Sequence, residues 1–256
     1  MLKISHQHLP TSDELPDSDD TPVDNEDQNL LPNILLFLLE YIWKDRDNWF
    51  FGVDMGLYHT TGANPRIPVI PDGFLSLGVE RRKGGKSRGS YVTWEEQNIS
   101  PTLVIEIVSQ TYGKEYDQKL KIYRRLGVLY YVIYNPHFFQ RDRHLPLEIY
   151  KLREGNYELQ SGEPYWMPEI GLGLGRCVLP TDKFQREVLS WFDAGGDRYL
   201  NGEEVERQRA EAAQRELEML LTRLRSRGID PEELNLEDSL RNDLGDDLAD
   251  NLENQK

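Results

Sequence analysis

Three side chains in this 256-residue chain have types and places that could do chemistry together. Glu106 stands inside 102–108, a β-branched and apolar run that reads as a strand buried on both faces. A lone ionised carboxylate there costs several kcal/mol unless a cation meets it. Asp72 follows Pro71 in another apolar segment, 34 positions before Glu106, and Lys119 lies 13 positions after it, on the helix that leaves the Glu106 strand. Helical spacing selects the lysine. Tyr116, Lys119, Leu120, Tyr123 and Leu126 share one face, whereas Asp117, Lys121, Arg124 and Arg125 fall elsewhere. Lys119 is thus expected to point toward the sheet and Lys121 toward water.

Two carboxylates from adjacent strands make a hard oxygen site suited to Mg2+, which keeps several waters and asks the protein for only one or two carboxylates. Mn2+ is the natural substitute. A lysine nearby can orient a water for attack on phosphorus or, as the free amine, deprotonate it. Plainer readings stay open for each residue. Asp72 in Pro-Asp-Gly also fits a turn. Glu106 and Lys119 also fit a structural salt bridge, and Lys119 can snorkel past Tyr123 to solvent.

Composition narrows the alternatives. No Gly-x-Ser-x-Gly element occurs, and His6, His8, His59, His137 and His144 lack the spacing of a metal set or a triad. A single cysteine, Cys177, excludes an intrachain disulfide and fits a reducing compartment. The apolar run at 34–39 falls far short of the ~20 residues that span a bilayer, and no apolar signal region opens the chain. A soluble cytoplasmic protein without a membrane partner is expected.

The net charge of −15 sits in the two tails: residues 1–30 hold one lysine against eight acids, and residues 229–256 hold two basic residues against ten acids. The body between them is neutral. Within it Arg81, Arg82, Lys83, Lys86 and Arg88 share a Gly-rich loop, which reads either as a solvated tip or as a mobile arm for phosphates.

The elements that would position the site follow from pattern. Asn33 can cap a helix running to about Trp43. Strands are expected at 49–59, 68–78, 91–94, 102–108 and 128–136, a helix at 114–126 ended by Gly127, and a hairpin at 145–160 around Glu154-Gly155. Residues 164–200 suggest further strands and turns. A long helix over 203–227, with Leu217, Leu220, Leu221 and Leu224 at helical spacing, could dock on its own domain or zip against a second copy as a coiled coil. Four regions result: a disordered acidic leader (1–30), a folded domain (31–200), the long helix (201–228) and an acidic tail (229–256), in which 231–240 can make a short helix.

The blocks VIPDGFLSLGVE, WEEQNISPTLVIEIVSQT and YDQKLKIYRRLGVLYYVIYNP together resemble the Uma-type restriction endonuclease family, a branch of the PD-(D/E)XK nuclease superfamily. The likeness covers about 30–200, and the C-terminal helix ending in LRSRGIDPEEL is similar too. It implies an α/β fold with a restriction-endonuclease-like core: a mixed sheet of four or five strands flanked by helices. It also implies that Asp72 and Glu106 are the metal-binding acids, with the main-chain carbonyl of Ile107 as a further ligand. The superfamily's lysine position falls on Val108, so Lys119 would replace it from the helix, and Lys119 with Tyr123 resembles the Gln-x-x-x-Tyr element of some relatives. Glu40, on the first helix, and Asp54 are further acid candidates, and Asp117 fits a helix-start cap. The expectation is a Mg2+-dependent DNA endonuclease with Asp72, Glu106 and Lys119 as catalytic residues. The alternative is a nuclease scaffold that binds or assembles without turnover.

Overall fold

Apolar runs bounded by Gly, Pro and Asn become strands, and their chain order sets the architecture. The computed structural model describes residues 9–16, 25–110, 113–180 and 182–229, in two units that divide after Asn201. The first unit runs α1 (Glu26–Ile42), β1 (Trp49–Val53), β2 (Leu57–Tyr58), β3 (Gly73–Leu77), β4 (Tyr91–Val92), β5 (Leu103–Ile107), a π-helical turn (Glu115–Lys119) and α2 (Leu120–Leu126). It continues with β6 (Tyr130–Tyr134), α3 (Phe139–Asp142), β7 (Leu147–Arg153), β8 (Asn156–Leu159), β9 (Tyr165–Met167), β10 (Leu172–Val178) and β11 (Glu187–Phe192). The second unit contains α4 (Gly202–Ser226).

A six-stranded mixed sheet, ordered β1-β3-β5-β6-β7-β8, forms the centre. Its β5–β6 pair is parallel and its other pairs are antiparallel. Both β5 and β6 are buried at every position, because each face of the sheet is covered. Side chains alternate across the pleat. Leu103, Ile105 and Ile107 join Leu35, Leu39 and Trp191 in one apolar cluster, while Val104 and Val108 join Phe74, Tyr123 and Tyr131 in the other. The helix carrying Tyr123 thus covers the face that Glu106 shares. On the opposite face the three-stranded sheet β11-β10-β9 packs with α1, and Trp191 Nε1 donates to the carbonyl of Leu35 at 2.9 Å.

Several boundaries differ from the sequence expectation. α1 begins at Glu26, capped by Asn25, whose Oδ1 accepts from the amides of Asp27 and Gln28. Pro32 lies inside the helix and is buried, and Asn33 bonds back to the carbonyl of Asn29 instead of capping. Pro10–Pro16, placed by expectation in a disordered leader, dock on the β2–β4 pair: Trp94 Nε1 bonds the Pro10 carbonyl, Ser12 bonds Glu95, and Leu15 packs with Tyr58 and Val92. The folded part therefore includes residues assigned to the leader. The sheet has six strands where four or five were expected, the helix after β5 starts as a π turn, and 164–200 forms a second sheet. The β7–β8 hairpin closes on Glu154-Gly155, both at positive φ, as its twist requires. The expected short helix at 231–240 lies outside the described residues. No helix among the described residues is long and apolar enough to cross a membrane.

β1 and β3 meet closely at Gly52, which lies opposite Phe74. A Cβ there would fall 2.3 Å from the Phe74 ring, itself wedged between Phe50 and Tyr91. Gly52→Ala is expected to destabilise the chain by ~1–3 kcal/mol through overpacking, read as a lower urea midpoint at unchanged slope. An unchanged midpoint contradicts this packing.

Candidate active site

Register brings the two acids together. β3 and β5 pair Gly73 with Ile105 and Phe74 with Val104, so one more antiparallel step sets Asp72 opposite Glu106. Both side chains fall on the α2 face, and opposed Cβ atoms in such a pair lie ~5 Å apart. Asp72 stands just before β3, at the sheet end where Ile107 closes β5, and its Oδ2 accepts from the Ile107 amide at 2.6 Å.

The partner of Glu106 comes from the helix side. Lys119 Nζ donates to Glu106 Oε2 at 2.7 Å and Tyr123 OH to Oε1 at 2.5 Å. Glu106 is 1% exposed, so these two donors replace its water. The spacing argument for the lysine holds: Tyr123 and Leu126 are buried, whereas Asp117, Lys121, Arg124 and Arg125 are exposed. Asp117 contacts the Gln118 amide at the helix start.

The electrostatics show a site short of positive charge. Burial pushes the Asp72 carboxyl well above the usual carboxylate range, and the neighbouring Glu106 charge adds to it; the Ile107 amide and Lys119 oppose. Burial also raises Glu106, against the pull of Lys119 and Tyr123. Lys119 loses solvation, yet Glu106 and then Asp72 and Glu115 hold its ammonium charged. Burial drives the Tyr123 phenol far up, so it remains a donor. One ammonium serves several buried acids.

The other candidates separate. Asp54 follows β1, which pairs with β3; its amide donates to the Asp72 carbonyl at 3.2 Å and its charge raises Asp72 further, so it borders the site. Glu40 does not. It lies 12 residues along α1 from Gln28, or ~18 Å of helix, and contacts Arg81 on the surface. Sequence reading missed Gln28, whose Nε2 reaches the Ile107 carbonyl at 3.3 Å. Placing the helix start at Asn33 hid it. Val108, at the superfamily's lysine position, is buried and apolar.

The basic loop lies beyond the opposite end of β3 from Asp72. Arg81 contacts Glu40 and stacks over Trp49, Lys83 meets Glu95 at 2.5 Å, and Arg88 clasps Glu96 while covering Phe50. These cations serve the fold.

A divalent cation would find hard oxygen donors here: the carboxylates of Asp72 and Glu106 on facing strand ends. Among the described residues no three His, Cys, Asp or Glu side chains are grouped to cage a metal, so the fit is to an ion that accepts few protein ligands.

A mixed sheet flanked by helices, as here, is consistent with a restriction-endonuclease-like fold. The chain belongs to the Uma2 family, described as "Putative restriction endonuclease", whose family model matches residues 20–180. No curated protein matches it.

A carboxyl that folding makes less acidic keeps its proton where the unfolded chain has lost it. Its contribution to stability is therefore largest below the unfolded value, near 4, and falls as pH rises through the folded value. Asp72→Asn removes that penalty and keeps an acceptor for the Ile107 amide. In chelator-treated protein it is expected to raise stability at neutral pH by ~1 kcal/mol, an advantage that fades toward pH 4. Urea unfolding across pH checks this; a variant less stable at pH 7 contradicts it.

Proposed function

We propose that this chain is a Mg2+-dependent phosphodiesterase acting on DNA, with Mn2+ able to replace Mg2+. The observation that carries the reading is the cross-strand placement of Asp72 against Glu106 with Lys119 bonded to the latter. Asp72, Glu106 and the Ile107 carbonyl are the groups that would hold the ion. When bound, a divalent ion supplies Lewis-acid stabilisation of phosphoryl charge and a more acidic water. Lys119 orients the attacking water and follows the charge that develops on phosphate oxygens. Tyr123 fixes the Glu106 rotamer, and Gln28 steadies the Ile107 carbonyl. Membership of a restriction endonuclease family supports hydrolysis of nucleic acid.

A second reading, a nuclease scaffold that binds or assembles without turnover, is favoured by one observation: Arg81, Lys83 and Arg88 are engaged by Glu40, Glu95 and Glu96. For either reading we assign residues 201–228 as a separate helical region, 1–25 and 229–256 as acidic flanks, and a reducing cytoplasm as the setting. Leu217 and Leu220, exposed on α4, fit a coiled coil with a second copy. Sedimentation that finds monomer at high concentration removes the dimer.

Plasmid and synthetic DNA incubated with Mg2+ or Mn2+ test the enzymatic reading. Asp72→Ala and Glu106→Ala are expected to abolish cutting while circular dichroism stays unchanged. Lys119→Ala is expected to slow it ~10²- to 10⁴-fold, and Lys121→Ala within about twofold, as a solvated surface residue should. Full activity in Asp72→Ala rejects the site, and equal losses for the two lysines reject Lys119. A chain without Mn2+ affinity in titration calorimetry leaves the scaffold reading.

A further inference from the structure

Glu115 opens the π-helical turn and is 4% exposed, although the reading above gives it no task. Its Oε1 is folded back on the chain so tightly that a Cβ at Gly113 would fall 2.3 Å away. The Gly113 amide supports the carboxylate, and Tyr131 OH anchors the Glu115 carbonyl at 2.8 Å. Its Oε2 is buried without a hydrogen-bond partner among the described residues. Such an orphan costs ~1–3 kcal/mol, more if charged. A chain that locks one oxygen and leaves the other bare holds an acceptor ready for a donor absent in this state.

A matching donor on the same turn is Lys119, whose charge acts on Glu115. The turn closes by an i→i+5 bond, Lys119 amide to Lys114 carbonyl at 3.1 Å, so residues four apart project to nearly the same side. Lys119 feels the charges of Glu106, Asp72 and Glu115. Its ammonium has three donors, and Glu106 Oε2 takes one of them at 2.7 Å.

We propose that Glu115 is the second station of Lys119: the ammonium rests on Glu106 in the metal-free chain and passes a hydrogen bond to Glu115 Oε2 when a divalent cation claims Glu106. This rests on the metal reading above. The charge count agrees, because three carboxylates (Asp72, Glu106, Glu115) balance one dication and one ammonium, whereas the ammonium alone leaves two in excess. Repulsion between the ion and the ammonium drives the transfer, and Glu115 keeps Lys119 charged and beside the site. Glu115 is thus a positioning residue that acts through Lys119.

The test is a double-mutant cycle on the full chain, with Mn2+ affinity measured by calorimetry in wild type, Glu115→Gln, Lys119→Met and the double variant. Glu115→Gln is expected to weaken Mn2+ about tenfold when Lys119 is present and less than twofold in Lys119→Met, a coupling of at least ~1 kcal/mol. Equal losses in both backgrounds mean that Glu115 ligates the ion or only supports the turn, and overturn the proposal alone. A wild-type chain lacking Mn2+ binding that Asp72→Asn removes overturns the metal reading and this proposal together. A second readout needs no folded Lys119→Met. With Mg2+ bound, the slowly exchanging Lys119 ammonium signal in nitrogen-15 spectra, identified by its loss in Lys119→Arg, is expected in wild type and absent in Glu115→Gln. Its persistence in both overturns the proposal.

Discussion

A carboxylate set into the middle strand of a sheet covered on both faces is the constraint from which the rest follows. Glu106 cannot reach water, so the structure must bring cation and donor to it. They come from one helix segment, Lys119 at the end of the π turn and Tyr123 one turn later in α2, each on a different oxygen. That demand fixes how the helix lies over the sheet. The π turn ends at the first of this pair, whose i, i+4 spacing is that of an ordinary α-helix and by itself sets both side chains over Glu106. Tyr131 secures the same turn from β6 through the Glu115 carbonyl.

Satisfying Glu106 does not neutralise its surroundings. Asp72 lies across from it and Asp54 one strand further, and like charges facing one another in a sheet destabilise it. A sequence selected for stability alone would place amides or threonines in that row. Instead the row stays acidic at a strand end, where Asp72 borrows an amide from Ile107 and burial pushes both carboxyls up from their usual range.

Much of this was legible. The β-branched run at β5 betrayed a doubly covered strand, and the odd carboxylate within it marked the centre. Separation of Lys119 from Lys121 needed only helical spacing, because the pattern reports which side faces the sheet even when the turn is irregular. Asp72 was ambiguous because Pro-Asp-Gly encodes a turn, and it in fact lies at the step between turn and strand, where both readings meet. Other features had no local signal. Pro32 reads as a helix breaker, yet burial of Leu31, Leu35 and Leu39 on the sheet carries α1 through it, so the Asn25 cap and Gln28 went unseen. Glu115 carries no signal in the sequence, where it stands beside Lys114 and near Asp117, since only the fold shows that it is buried. The basic loop could not be judged from sequence because its partners, Glu40, Glu95 and Glu96, are elsewhere in the chain or unremarkable beside it.

The distribution of charge then limits how a polyanion could be held. The end of the sheet that carries Ile107 adjoins a cavity of about 620 Å³ bordered by Asp27, His137, Arg176, Arg186 and Glu187. Its guanidinium groups are already matched, Arg176 with Glu163 and Glu187 and Arg186 with Asp182, and His137 Nε2 lies 2.9 Å from Asp27 Oδ2. A phosphate arriving there exchanges protein ion pairs for new ones and releases few counterions of its own, which gives a shallow dependence on salt and little affinity from the protein alone. Under the proposed function attraction must come mainly from the ion between Asp72 and Glu106. Binding and chemistry would then share one switch, because without the cation the substrate would meet the carboxyls of Asp72 and Glu106 directly.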